Sequence, residues 1–190
     1  MNKDLLFKNV DTGEWSEHYP EKRSCTSAQF KLDLFEFFDK DEFKDMTALE
    51  VGIYGGYTTK ILSYLFKKVY AFDNFAKSIT GTKRFNSDRS NIEYKLIDVY
   101  KETWPEIEID VVFIDCVHTT PNTTMDIDNS IKHRKGDEFY LIFDDYANWP
   151  AVRTAVDNHK KIKLIKGIGM DIGKIKEGVV CKYIGEKDND

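Results

Sequence analysis

The sequence predicts an α/β fold: a doubly wound, mainly parallel sheet of seven strands with an antiparallel strand near its end. Three observations predict it. From about residue 47 onward, short apolar β-rich runs alternate with longer stretches of helical spacing, the pattern of right-handed crossovers and a sheet covered on both faces. Acidic residues fall at the ends of successive strand candidates, on the side where an open α/β sheet places its ligand crevice. The last two strand candidates are joined by about a dozen glycine-rich residues, too short and too flexible for a crossover helix, so that pair runs antiparallel.

Taken in order, residues 1–20 carry Trp15, His18 and Tyr19 in a polar, aperiodic setting and read as a loop or flap. Residues 26–38 set Phe30, Leu34, Phe37 and Phe38 at helical spacing, an amphipathic helix packed on the sheet. Residues 1–45 are thus a flap and helix added to a core over 46–190, within one domain. The first strand spans 48–51, and the helix after it sets Ile61, Leu62, Leu65 and Phe66 on one stripe, with Thr58 or Thr59 as its cap. Further strands follow at 69–72, 92–97, 111–114, 140–143, 162–165 and 179–183. Residues 166–177, with Gly167, Gly169 and Gly173, connect the last two as a rim loop. Met170 there, with Trp15 and Tyr19, is placed to shape an acceptor pocket. The polar tail 186–190 frays. The whole is Rossmann-like in plan.

Composition excludes several classes. At 190 residues with 41% hydrophobic and 32% charged side chains, the chain is globular rather than disordered. A formal charge of −5 argues against a nucleic-acid partner, which calls for a basic face. The start, Met1-Asn2-Lys3-Asp4, breaks into charge too early for a signal peptide, and no apolar run approaches a membrane span. Cys25, Cys116 and Cys181 are odd in number and form no CxxC pair, so neither a disulfide framework nor structural zinc is expected. These points lead to a cytoplasmic protein without a membrane partner, and the apolar N-terminal helix leaves a homodimer open.

The carboxylates carry the functional information. The first strand ends at Glu50, the second runs into Asp73, the third into Asp98, the fourth into Asp115, and the fifth into Asp144-Asp145. Any one of these would serve equally as a helix cap or turn acid; five in register deliver acids to one rim. Gly52, Gly55 and Gly56 follow the first strand in a G-x-x-G-G spacing, which lets backbone approach a ligand closely. This is not the dinucleotide G-x-G-x-x-G, because Tyr54 stands where a pyrophosphate needs glycine, and no phosphate-binding G-x-x-x-x-G-K-[ST] is present. Asp73, twenty-one positions beyond Gly52, has the spacing of a carboxylate that grips ribose hydroxyls. The ligand is therefore a nucleoside without a long phosphate chain.

The segments LEVGIYGGYTTKIL, VYAFDNF, LIDVY, VVFIDCVH and LIFDDYANWPAVRTAV resemble the successive motifs of class I S-adenosylmethionine-dependent methyltransferases, and most of all the short macrocin-type O-methyltransferases that act on macrolide sugars. The likeness covers roughly residues 46–158. It implies that Glu50 and the loop Gly52, Tyr54, Gly55 and Gly56 hold the methionine part of S-adenosylmethionine. Asp73, with Asn74, takes the ribose, Asp98 and the Val99 backbone meet the adenine amino group, Asp115 borders the same pocket, and Phe75 or Phe72 stacks on the base. It further implies that Asp115, Asp144 and Asp145 bind a magnesium ion and that His118 is the general base. The chain departs from the family pattern at Cys116 and Val117, where relatives carry glycine and aspartate, and at Asp137. The expected reaction is methyl transfer to a hydroxyl of a small sugar or polyhydroxylated metabolite. Metal-free transfer to a small-molecule or protein nitrogen, and cofactor binding without catalysis, are the alternatives.

Overall fold

The computed structural model describes residues 26–185; the flap predicted over 1–20, Cys25 and the tail 186–190 lie outside the described residues. Helix α1 (Ala28–Phe38) starts at Ser27, whose hydroxyl accepts the Phe30 amide at 3.0 Å and so satisfies a donor that the first turn leaves open. Its residues Phe30, Leu34 and Phe38 recur every four positions and are fully buried. A single 3₁₀ turn, Asp41–Phe43, leads into the sheet.

The remaining elements are β1 (Thr47–Val51), α2 (Tyr57–Leu65), β2 (Lys68–Asp73), α3 (Ala76–Phe85), β3 (Ile92–Leu96), β4 (Val111–Ile114), α4 (Thr120–Lys132), β5 (Tyr140–Phe143), α5 (Pro150–Asn158), β6 (Ile162–Ile172) and β7 (Ile175–Tyr183). The seven strands order as β3-β2-β1-β4-β5-β7-β6. All pairs are parallel except β5 with β7 and β6 with β7, so β7 alone runs against the rest.

Side-chain alternation divides the core into two layers. Ala48, Val111, Ile142 and Val180 join α1 and α2 on one face, through Phe30, Leu34, Ile61 and Leu62. Leu49, Val112, Leu141 and Cys181 join α4 and α5 on the other, through Ile127, Ile131, Val152 and Val156. Each fully buried large apolar side chain contributes about 1.5–3 kcal/mol over an exposed one. A smaller cluster of Ile53, Ala71 and Ile79 seats α3.

One expectation needs correcting. Residues 166–177 are not a rim loop: β6 and β7 continue through them as a long hairpin that turns between Ile172 and Ile175. The glycines sit in that ladder. The register shifts between Leu164 and Lys166 and again between Ile168 and Asp171, with Gly169 at φ +84° in the second shift and Gly173 at φ +66° in the turn. Gly167 is paired with Val179, Gly169 marks a bulge that bends the strand, and Gly173 alone marks its end. Among the described residues no helix is long and apolar enough to cross a membrane.

Candidate active site

The loop after β1 is shaped by what a side chain would strike. Gly52 has φ +89°, and a Cβ there would lie 1.8 Å from the Asp115 carbonyl oxygen, so β1 and β4 approach as closely as backbones can. Gly56, at φ +76°, is the N-cap of α2 and gives it no side-chain cap. Neither threonine caps that helix: the Thr59 hydroxyl donates to the buried Glu50 carboxylate, and the Thr58 hydroxyl pairs with that of Thr26 at 3.1 Å. Tyr54 is held at φ +48° with its ring exposed.

Asp73, at the end of β2, ties this loop down. Its Oδ2 accepts the Ile53 amide at 3.0 Å and its Oδ1 the Phe75 amide at 2.7 Å. Beyond β3, Asp98 accepts from the Lys101 ammonium at 2.8 Å and the Tyr100 amide at 3.2 Å. The Lys101 bond chiefly holds the Asp98 carboxyl below its ordinary range. Between these loops opens a pocket of about 260 Å³. Of the predicted cofactor residues, Gly52, Tyr54, Asp73, Asn74, Asp98, Val99 and Asp115 line it. Glu50 and Gly55 line a smaller recess of about 20 Å³ that shares Tyr54 and Asp115 with the pocket. Gly56 borders neither. Phe72 is a buried wall of the pocket, whereas Phe75 is exposed and outside its lining.

Burial drives the Glu50 carboxyl well above its usual range; the Thr59 bond opposes this, the Asp115 and Asp73 charges add to it, and Lys31 opposes it. Lys31 is itself fully buried, its ammonium donating to the Thr26 carbonyl.

A second group adjoins the pocket. His118 Nε2 lies 3.4 Å from Asp115 Oδ1 and 3.3 Å from Asp145 Oδ2. The His118 ring stacks on Trp149 with centroids 5.3 Å apart and planes 17° from parallel, which fixes its tilt. Asp145 is held at φ +57°. Its side chain accepts from Asn148 at 3.0 Å and its carbonyl from the Trp149 amide at 2.9 Å. Asp115 chiefly, with Asp145 behind it, raises the His118 pKa against the effect of burial. Burial in turn raises Asp115.

The expected metal set was Asp115, Asp144 and Asp145. Donor atoms of Asp115, His118 and Asp145 lie within 4.8 Å of one another, so the structure groups His118, rather than Asp144, with the other two. Adjacent residues at a strand end face opposite ways, and the left-handed turn at Asp145 carries that side chain to the rim. Asp144 stays behind, 7% exposed, with Oδ1 lacking a hydrogen-bond partner among the described residues. Burial, with Asp115 and Asp145 adding, pushes its carboxyl well up. Two carboxylates and an imidazole fit a divalent cation; an all-oxygen set of the kind magnesium prefers would need Asp144 to turn inward.

Sequence reasoning passed over Tyr100, Ser78 and Cys116 as pocket walls, Thr26 in the recess, and Asp126 beneath them. Asp126 left a signal: a carboxylate on the helix face that also carries Ile127 and Ile131.

No protein-family model matches the sequence, and no match was found among curated proteins. Solved structures do match. An rRNA methylase from Streptococcus thermophilus superposes with a TM-score of 0.58 at 17% identity, over 75% of this chain and 89% of that one. The N-methyltransferase NodS from Bradyrhizobium japonicum gives 0.63 at 13% identity over 90% and 99%. An S-adenosylmethionine-dependent O-methyltransferase from Thermotoga maritima gives 0.67 at 11% identity over 90% and 71%. The chain therefore has the Rossmann-like fold of these methyltransferases. Their acceptors differ among RNA, nitrogen and oxygen, and the likeness does not single out the macrocin-type enzymes.

Proposed function

We propose that the protein is an S-adenosylmethionine-dependent methyltransferase acting on a hydroxyl of a small molecule, a sugar or polyhydroxylated metabolite. One observation carries the reading: a pocket of about 260 Å³, bounded by the glycine loop, Asp73 and Asp98, shares its wall residue Asp115 with the Asp115–His118–Asp145 cluster. Asp73 would take the ribose hydroxyls, Asp98 and Val99 the adenine edge, and Glu50 with Gly55 the amino-acid end. S-adenosylmethionine held by these residues would supply an electrophilic methyl group for transfer. A hydroxyl is a weak nucleophile until its proton is taken. The His118 imidazole would take that proton and free the oxygen to attack; bound S-adenosylmethionine would supply the methyl carbon, its sulfur keeping the electrons of the bond that breaks. The products are the methyl ether and S-adenosylhomocysteine, and Asp115 and Asp145 stabilise the imidazolium that forms.

A divalent cation held by Asp115 and Asp145, magnesium included, would supply Lewis-acid activation of the acceptor. Nε2 of His118 can either ligate such an ion or accept the proton, not both at once. The carboxylates at the rim favour a small acceptor over a phosphate backbone. The same negative charge supports a second reading, an amine acceptor whose ammonium pairs with Asp115 and Asp145 before losing its proton.

Calorimetry with S-adenosylhomocysteine and NAD tests the cofactor, with binding of the first alone expected. A screen of alcohols and amines with methyl-labelled cofactor, in the presence and absence of EDTA, tests the rest. Label on an alcohol that EDTA abolishes supports metal-assisted O-methylation; EDTA-insensitive label on an amine favours the second reading. Tight cofactor binding with no labelled product in any arm would leave a non-catalytic binding protein.

A further inference from the structure

Beneath the pocket lies a polar pair that the transfer chemistry leaves unused. Asp126 stands on the inward face of α4 with Thr123, Ile127 and Ser130, and is 1% exposed. Its Oδ2 accepts the Tyr100 hydroxyl at 2.8 Å, while Oδ1 has no hydrogen-bond partner among the described residues. The same Tyr100 oxygen accepts the Val117 amide at 3.2 Å. Val117 lies inside the short turn that separates Asp115 from His118. A carboxylate buried on an apolar helix face, with one oxygen unsatisfied, costs stability, so packing alone does not account for it.

We propose that Asp126 and Tyr100 brace the turn over residues 115–118. Asp126 fixes the Tyr100 hydroxyl, that hydroxyl fixes the Val117 amide, and the turn so held presents Asp115 and His118 to the pocket that the Tyr100 ring helps to wall. Both are positioning residues for methyl transfer, a role that rests on the function proposed above. The geometry gives them leverage. The turn is tied to the sheet at its start, where the Asp115 amide donates to the Val51 carbonyl at 2.9 Å. It is closed at its far end, where the Thr119 amide donates to the Val117 carbonyl at 2.9 Å. Between those points the Tyr100 hydroxyl holds the backbone of the turn at the Val117 amide, while Asp145 and Trp149 meet only the His118 side chain. An error of about 1 Å in the placement of a reacting group can cost roughly a hundredfold in rate. One side chain thus touches both the nucleoside pocket and the turn bearing the proposed base.

The test is amide hydrogen exchange and ring NMR on the labelled full chain, with S-adenosylhomocysteine affinity measured in parallel. Tyr100→Phe keeps the ring in the pocket wall and removes only the hydroxyl. The Val117 amide should then exchange about tenfold faster, the scale of one net hydrogen bond, and the His118 ring signals should move. Amides of β1 and β4 should keep their wild-type rates. Asp126→Leu should reproduce this from the other end, whereas Asp126→Asn, which keeps an oxygen for the Tyr100 hydroxyl, should leave Val117 as in wild type. An unchanged Val117 rate in Tyr100→Phe overturns the brace. So does a faster rate with His118 signals that stay in place, since the pair would then be packing alone. Wild-type protein that fails to bind S-adenosylhomocysteine would instead sink the methyl-donor reading and leave the exchange result standing.

Discussion

At Asp73 one carboxylate already answers to two backbone amides, those of Ile53 and Phe75. Its removal would both loosen the glycine loop and strip a charged acceptor from the ribose. Each such bond is worth about 1.5–3 kcal/mol, so Asp73→Ala should weaken S-adenosylhomocysteine binding at least about tenfold by calorimetry; unaltered affinity would remove Asp73 from the site. His118 tests a different step. Removing a positioned base costs about 10²–10⁴ in rate, so His118→Ala should lower turnover by that order and leave cofactor affinity alone. Retained turnover would hand activation to a bound cation. Asp126 tests the balance of burial against charge. Its carboxyl is pushed up to about 7, chiefly by burial, with the Tyr100 bond opposing, and its charge in turn helps to raise the Tyr100 hydroxyl and the Cys116 thiol. A folded-state value above the unfolded one means that the folded chain holds the proton more tightly. Stability from this group is therefore present at acid pH and is lost as pH rises from about 4 to about 7. Asp126→Asn should flatten that decline and exceed wild type by roughly 1–3 kcal/mol above pH 7 in denaturant titrations. A variant that tracks wild type at every pH would place the proton elsewhere.

Among the elements, the joint between β1 and α2 has the least room. The Cβ that Gly52→Ala introduces would overlap the Asp115 carbonyl at 1.8 Å in a backbone conformation costly for alanine. Strain and overlap together should destabilise the fold by at least about 2 kcal/mol in urea melts; an alanine variant of wild-type stability would mean that the strands part without cost. This joint was legible beforehand, because glycine at fixed offsets after an apolar run has few other uses. So was α1, whose Phe30, Leu34 and Phe38 keep a four-residue beat. The β6–β7 hairpin was not, since glycine in a bulge reads like glycine in a loop until the partner strand's register is known. The cap of α2 misled for a related reason: Thr58 and Thr59 look like caps in one dimension, yet their hydroxyls turn to Thr26 and Glu50.

For the whole molecule, the acids at the ends of five strands could be read from spacing, and so could the side of the sheet on which the pocket opens. What spacing could not reveal was which way neighbours point, and Asp144 and Asp145 part company on that account. The brace through Tyr100 and Asp126 was hidden too, being a contact between residues 26 positions apart. A ligand that binds the folded chain alone should raise its stability by mass action. Saturation at about 100 times Kd adds about 2.7 kcal/mol, so S-adenosylhomocysteine should lift the melting temperature where NAD does not. Equal shifts with both would contradict the pocket's chemistry.

The hairpin has one more consequence, in the order of assembly. Glu177 at the start of β7 accepts from the Ser27 amide at 2.8 Å and from the Ser27 hydroxyl, across 150 residues of sequence. Ile168 and Val180, from the two hairpin strands, belong to the apolar layer on which Phe30 and Leu34 rest. As the chain leaves the ribosome, α1, the first of the described helices, is therefore among the last to find its full seat. Until the hairpin emerges, the phenylalanines of α1 have only part of their surface to bury against. A closure of such long sequence separation slows folding, and a nascent chain stopped near residue 160 would present a sticky helix to chaperones rather than a finished sheet.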